Sequence, residues 1–357
     1  MVQTVRFLYT EGTYVKRYGL PYKGSKNAIA AAIIDTLPAA DIFIDLFAGG
    51  CAVAHAAMES GKYRQVIAND INTYPQFFKE CIEGKHTIQT HPEWISREDF
   101  HRLKDTDDYV KYVWSFGNNG KNYIYGAKIE EYKRSLHVLF FDRDVMPLYE
   151  YMGGFFDKGL LQRAADAEGV YERFIAYRRI VLQKYSDEGR LEKRGSHWYL
   201  DGKANIDRLN NLQSLQNLKR LEELESLGRL ERLQRLESPE RLQSLERLLT
   251  VTQTDYAQAE IPGNAVVYCD IPYKGTNCGA YEGFDHERFY EWAKGRDNIF
   301  ISEYSMPPGF IRYTGFKKAV LSSNQGSTKA AEIEGLFTTP ETLEKVGGMY
   351  EQLSLFG

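Results

Sequence analysis

The densest chemistry in this chain lies at Asp270-Ile271-Pro272-Tyr273, directly after the apolar run Ala265 to Cys269. A short run rich in valine predicts a buried strand. A carboxylate, a rigid turn and an aromatic ring at its end serve no packing need. Asp270 offers acceptor lone pairs, the fixed backbone of Pro272 holds the carbonyl of Ile271 outward, and Tyr273 presents a ring face. Two acceptors beside a flat platform suit an aromatic amine. Such an amine donates two hydrogen bonds, and drawing both hydrogens out of conjugation frees the nitrogen lone pair to attack an electrophile. The ring would stack on a base flipped out of its duplex. Taken alone, the four residues are better read as a strand-end turn in which Asp270 caps an amide and Tyr273 packs.

Other elements decide between the two, because ligands in an open parallel sheet bind beyond the carboxyl ends of the strands. Asp41 to Phe47 predicts a strand, followed by Gly49 and Gly50 and an alanine-rich helical pattern that stops at Gly61. Tyr63 to Asn72 predicts a second strand ending at Asn69-Asp70, with a helix started by Pro75 and stopped at Gly84. The same alternation resumes late, with a strand at Asn264 to Asp270, a helix at Asp285 to Gly295 and a strand at Asn298 to Ser305. Strands alternating with helices imply a parallel sheet. Asp45, Asp70, Asp270 to Tyr273 and Ser302-Glu303-Tyr304 all fall at predicted strand ends. A glycine turn lets backbone approach a ligand closely, and an acid after the next strand can accept ribose hydroxyls. The turn lacks the glycine order that cradles a pyrophosphate, and no phosphate-binding G-x-x-x-x-G-K-[ST] loop is present, so the nucleoside expected here carries no phosphate. A glycine turn needed only for strand-to-helix packing is the plain alternative.

The chain has 357 residues, of which 43% are hydrophobic, enough for one large domain with additions or for two. The longest apolar run falls far short of the roughly 18 residues of a membrane span, and no hydrophobic signal core opens the sequence. We expect a cytoplasmic protein with no membrane contact. Cys51, Cys81, Cys269 and Cys278 form no C-x-x-C pair and lie near no histidine cluster, so reduced thiols and no metal site are expected. A net charge of -4 excludes a general basic coat while permitting a local basic groove. From residue 90 to about 200 the pattern predicts helices rich in Tyr, Phe and charge, an insertion between the two α/β halves. Turn signals fall at 116–122, 152–154 and 188–198. Leucine then recurs every third residue from Leu209 through Leu236 and resumes at Leu242, Leu245 and Leu248. On an α-helix each such step advances about 300°, so the leucines drift around the axis instead of forming a stripe. A helix or 3₁₀-like segment with leucine all round, a short solenoid and a slipped repeat tolerated at the surface all fit. Each could serve as a protein-interaction arm, and an expanded repeat without chemistry is the plain alternative.

Six stretches carry a family resemblance: Leu20 to Ala30, Phe43 to Ala57, Ala68 to Asn72, Thr252 to Gln258, Cys269 to Ala293 and Ile301 to Ser305. In that order they resemble the motifs of the Dam-like DNA adenine methyltransferases, which use S-adenosylmethionine. The resemblance covers roughly residues 18–80 and 250–340. It implies an α/β Rossmann-like methyltransferase fold with a mostly parallel sheet and an inserted, largely helical target-recognition domain. Residues 1–80 and 250–357 would form the catalytic domain, 81–204 the recognition domain and 205–249 a leucine-triplet insertion. By the same resemblance Tyr22 and Lys26 touch the cofactor's methionine end, Asp45 and Gly49 form the first-strand turn, and Asp70 binds the ribose. Asp255 and Tyr256 contact the cofactor's adenine, and Asp270, Ile271, Pro272 and Tyr273 are catalytic. Cys51 stands where the family usually has a third glycine, and Ile271 where it often has proline.

The activity so implied is methylation of the 6-amino group of adenine in double-stranded DNA by a monomer. No metal is required, since the methyl donor is already cationic. Within the insertion, Asn118, Asn119, Lys121 and Tyr123 can bond base edges or phosphates, and the tail Val320 to Phe337 is similar to the family's C-terminal polar loop, by which Lys317, Lys318 and Lys329 could meet phosphates. An ordinary polar turn and a solvated lysine face are the plain readings of those groups. The tetrapeptide would also suit another planar amine, on cytosine, RNA or a protein glutamine. An inert relative that recruits partners through the leucine run would need no chemistry at all. Asp at position 270 and the surrounding motifs favour adenine in DNA.

Overall fold

The computed structural model describes residues 18–20, 24–86, 90–194, 197–200, 204–205, 239–273, 283–317 and 333–354. At its centre β1 (Ile42–Asp45) runs parallel to β2 (Gln65–Asn69) on one side and to β7 (Ala265–Cys269) on the other. β6 (Leu249–Thr252) extends the sheet beyond β2, and β8 (Ile299–Glu303) extends it beyond β7, both in parallel. β9 (Ile311–Lys317) and β10 (Ile333–Thr338) complete a seven-stranded sheet of order β6-β2-β1-β7-β8-β10-β9, with β10 antiparallel to both neighbours. The fold is the mixed, mostly parallel α/β arrangement expected of a Rossmann-like methyltransferase.

Side chains alternate between two cores, as strand pleating requires. Phe43, Val266, Tyr268 and Phe300 join a core shared with α1 (Ala30–Thr36), α2 (Ala52–Ser60) and α3 (Tyr74–Ile82). Ile44, Val267, Cys269 and Ile301 face the other way and pack with Phe289 and Ala293 of a later helix, His286–Ala293. Register then aligns the acids. Asp45 pairs with Ala68 and with Tyr268, so Asp70 and Asp270 each stand two residues past it along parallel strands. The order reverses between β1 and β7, and that switch point opens a crevice at the carboxyl edge.

The interval between β2 and β6 begins with α4 (Arg97–Leu103), α5 (Asp108–Val113) and α6 (Ala127–Phe141). Ser96 and Asp107 cap α4 and α5 by accepting from the backbone of Asp99 and Val110. Phe100, Tyr109, Tyr112, Trp114, Tyr123 and Ile129 belong to the core that also holds α1 to α3, so the apolar packing continues past residue 81 without a break. A separate core starts at Tyr132 and joins α6 to α7 (Met146–Tyr151), α8 (Lys158–Ala165) and α9 (Val170–Asp187). Where the sequence signals only a turn at 188–198, β3 (Leu191–Arg194) and β4 (His197–Leu200) pair, and β5 (Ala204–Asn205) adds a third antiparallel strand. Leu209 to Leu236 lie outside the described residues. The end of the leucine pattern is helical, α10 (Pro239–Leu248), with Leu245 buried in the sheet's core. The helix beside β8 is α11 (His286–Ala293), capped by Asp285 and followed by Gly295 in the left-handed region at φ 73°. α12 (Pro340–Ser354) follows β10. Among the described residues no helix is long and apolar enough to cross a membrane.

Candidate active site

The turn after β1 is held from three directions. Asp70 Oδ2 accepts from the Gly49 amide at 2.8 Å while its Oδ1 accepts from the Asn72 amide at 2.9 Å. Asp45 Oδ2 accepts from Ala54 in the first turn of α2 at 3.0 Å. Leu20 donates its amide to the Gly50 carbonyl at 2.7 Å. Gly19 makes that approach possible, because at its φ of 65° a Cβ would lie 2.3 Å from the Gly50 oxygen. Gly49 has φ 45° and Cys51 has φ 59°. A left-handed turn explains a glycine preference at position 51, and the cysteine there carries strain of about 1–2 kcal/mol.

Beside the turn lies a small cavity of about 50 Å³, lined by Lys26, Asp45, Phe47, Gly49, Tyr268 and Asp270 among others. Lys26, almost wholly buried, places its ammonium 2.7 Å from Asp270 and 3.3 Å from Glu334 of β10. The same ammonium stands 4.5 Å from the centre of the Tyr273 ring. Burial alone would lower the Lys26 pKa, but the Asp270 and Glu334 carboxylates outweigh it and hold the amine above its ordinary value. Burial first, and then Asp270 and Glu334, push the Tyr273 hydroxyl well up, so the ring stays neutral. Burial likewise raises the Asp45 carboxyl well above the usual range, reinforced by Asp270. Asp45 Oδ1 is buried and has no hydrogen-bond partner among the described residues.

A second cavity, of about 260 Å³, is lined by Phe47, Asn69, Ile71, Asp255, Tyr256 and Arg288 among others. Phe47 lines both spaces. The Tyr256 ring lies 5.5 Å from that of Phe47, and its buried hydroxyl has no hydrogen-bond partner among the described residues. Arg288 donates to Asp255 at 3.2 Å and stands 5.4 Å from the Tyr256 ring centre. Aromatic walls with a few polar groups suit a planar heterocycle.

The tetrapeptide is braced by its surroundings, by Ser302 and Tyr304 of the strand end that the sequence singles out and by His286, to which the sequence assigns no role. His286 of α11 donates Nε2–H to the Pro272 carbonyl at 2.7 Å. Tyr304 meets the Tyr273 ring edge-on, with centroids 4.9 Å apart. Tyr268 and Ser302 share a hydroxyl contact of 2.8 Å at the base of the site. Glu334 comes from a C-terminal antiparallel strand that the alternating strand-helix grammar does not predict. Its only local signal is an acid inside an apolar run, Ile333 to Phe337.

On the insertion, the turn Phe116 to Asn122 is tied to itself. Asn118, at φ 56°, donates Nδ2–H to the Tyr112 carbonyl, and Asn119 accepts from the Lys121 amide. Tyr123 is a core residue: it is buried and its hydroxyl donates to the Ile95 carbonyl at 2.7 Å, so the packing reading holds there in place of DNA contact. Phe116, by contrast, is 61% exposed. Tyr22, Lys318 and Lys329 lie outside the described residues, and Lys317 ends β9.

Residues 22–180 match the family model of the D12 class N6 adenine-specific DNA methyltransferases. Over that span the chain is similar to the DNA adenine methyltransferases, in agreement with the Dam-like resemblance of its motifs. The matched span contains Lys26, Asp45, Gly49 and Asp70 and runs into α9, while Asp270 to Tyr273 lie beyond it, with Asp270 reaching the same cavity from the end of β7. A comparison with curated proteins returned no match.

Proposed function

We propose that this methyltransferase transfers a methyl group from S-adenosylmethionine to the 6-amino group of an adenine flipped from double-stranded DNA at a specific sequence. One observation carries the reading: Asp270, with Tyr273 sharing its lysine, opens into the same buried crevice as Asp45 and Gly49, with Asp70 bonded to that turn.

The residues present fit the methyl donor. Phe47 and Tyr256 offer rings for its adenine, and the carboxylate of Asp70 stands at the β2 strand end beside the Gly49 turn, the place for a ribose-binding acid. Asp45 Oδ1 lacks the partner that an amino group would supply. When bound, S-adenosylmethionine supplies a methyl carbon already activated by its sulfonium. The chain's own work is placement and charge. Asp270 and the Ile271 carbonyl accept the two amine hydrogens, Tyr273 provides the stacking platform, and His286 steadies the turn between them. The Lys26 ammonium lies 2.7 Å from Asp270, which acts as acceptor first and takes the proton only as the amine is methylated.

Recognition of the flanking bases falls to residues 81–204, through Asn118, Asn119 and Lys121, with the exposed Phe116 ring suited to stacking on a base. Lys329 would add a phosphate contact, and residues 205–249 would form an arm for a protein partner on a monomeric enzyme. Expression in a host without adenine methylation, followed by modified-base sequencing, tests the proposal. N6-methyladenine confined to one recurring sequence is expected. Genomic DNA free of modified adenine, with folded protein present, would overturn it.

A further inference from the structure

We propose that Asn69 is a positioning residue for the adenosine end of the methyl donor. Its buried carboxamide joins the two chain segments that carry Phe47 and Tyr256 and so fixes the walls of the larger cavity at the carboxyl edge. The inference rests on the function proposed above.

β2 lies between β1 and β6, so a side chain at its end can reach both neighbours. Asn69 is the last residue of β2 and is 1% exposed. On the β1 side its Nδ2 donates to the Leu46 carbonyl at 3.1 Å, while its own carbonyl accepts from the Ala48 amide at 2.9 Å. Phe47 is thus bracketed, with the residue before it and the residue after it both bonded to Asn69. On the β6 side Nδ2 also donates to the Thr254 carbonyl at 3.1 Å. Oδ1 accepts from the Thr254 amide at 3.2 Å, from the Thr254 hydroxyl at 3.0 Å and from the Thr252 hydroxyl at 2.8 Å. Asp255 and Tyr256 follow directly. The carbonyls of Leu46 and Thr254 can only accept, so the carboxamide fits in one orientation.

This pattern exceeds what the sheet needs. Ladder pairing ends at Asp45 with Ala68 on one side and at Asn69 with Thr252 on the other, and Leu46 and Thr254 lie beyond it, lining the cavity of about 260 Å³. A side chain that both gives and takes hydrogen bonds continues the ladder where the backbone alone does not. Loss of the carboxamide would strip the Leu46 and Thr254 carbonyls of their donor and let Phe47 and Tyr256 shift relative to each other. An adenosine held by those rings would lose affinity. Asp270, which meets the DNA base, follows β7 on the far side of β1 and keeps its place.

The test is Asn69→Ala in the full chain, with binding read by calorimetry. Dissociation constants for S-adenosylmethionine, S-adenosylhomocysteine and methylthioadenosine are expected to rise together by about tenfold. Methylthioadenosine carries no amino-acid end, so an equal loss puts the effect at the adenosine. The KM for the donor should rise in step, while the single-turnover rate at saturating donor falls by less than about threefold. A purely structural asparagine would lower the melting temperature and the number of binding sites per chain, with the affinity of the folded fraction unchanged, and that result would overturn the role of Asn69 alone. So would a loss that spares methylthioadenosine. Thr252→Val serves as the reporter should Asn69→Ala not fold, because it removes a hydroxyl bonded to Asn69 and Thr252 does not itself line the cavity. A rise of about threefold in the same three constants supports the proposal, and wild-type constants overturn it. A wild-type chain that takes up none of the three ligands would overturn the proposed function and this inference together.

Discussion

The two edges of the sheet carry cavities of opposite character. At the amino edge, just before β1, β2, β7 and β8 begin, a cavity of about 680 Å³ is lined by Asp41, Arg64, Asn264 and Asn298 with Tyr63 and Phe300. At the carboxyl edge the two adjoining spaces are about 50 and 260 Å³. By size the first is the better binding site, yet its charges are spent or solvated. Lys62 donates to the carbonyls of Ile34, Asp35 and Leu37, Arg64 is 89% exposed on its side chain, and Lys345 meets the exposed Asp297. The smaller space is lined instead by the buried Lys26 ammonium, the buried Asp45 carboxyl and Asp270, with buried Glu334 against the ammonium. What locates chemistry is charge retained against desolvation, and volume does not report it. Strand direction makes the edges unequal, because parallel strands bring helix N-termini to one end only.

Asp270→Ala tests that contrast most severely. Methyl transfer should drop by a thousandfold or more, on the order of losing both an oriented acceptor and the counter-charge of Lys26. S-adenosylmethionine binding, measured by calorimetry, should stay within a few fold. Retained transfer would move the chemistry away from the carboxyl edge and erase the distinction between the two cavities.

A smaller effect is expected at Asp45. Burial raises its carboxyl in the folded chain, with Asp270 adding to the shift, so the folded state holds a proton that the unfolded chain releases near pH 4. The unfolded state then binds fewer protons, and stability falls as pH rises between the unfolded and folded values. Asp45→Asn removes this dependence and should melt a few degrees higher near neutral pH, while binding S-adenosylmethionine about tenfold more weakly. Wild-type binding should weaken as pH falls, because an arriving ammonium must displace that proton. Calorimetry in buffers of different ionisation heat reads the release directly. No proton release, with unchanged affinity in the variant, would show that Asp45 only packs the turn.

Legibility in the sequence followed the range of the interaction. Strand ends at Asp45, Asp70 and Asp270 could be read because each marks an abrupt switch from apolar run to acid, and period and turn chemistry are local signals. That Lys26 meets Asp270 and Glu334 depends on register and on β10 pairing with β8, which no window of sequence contains. Tyr123 shows the converse failure. Its neighbours Asn122 and Lys121 are polar, so the segment looks like a surface loop, yet its ring packs 5.8 Å from Tyr125 inside the core. A tyrosine carries both an apolar body and a polar tip, and only tertiary context decides which is used. The hairpin of β3 and β4 was hidden in the same way, under residues that signal only a turn.

The least change is expected at Gly263, at the mouth of the amino-edge cavity. An added Cβ there meets nothing within 4 Å and no left-handed backbone is required, unlike Gly19 at the other edge, where a Cβ would strike the Gly50 carbonyl. Gly263→Ala therefore acts through the unfolded chain, whose freedom it reduces, and should stabilise the protein by about 0.4–1 kcal/mol in denaturant unfolding. Methyl transfer and S-adenosylmethionine affinity should match wild type, since the cavity lies across the sheet from every group that handles the amine. A shift in either by more than about threefold, well above 0.4 kcal/mol in free energy, would mean that the large cavity is coupled to the small one. Size would then have been pointing at a working part of the molecule.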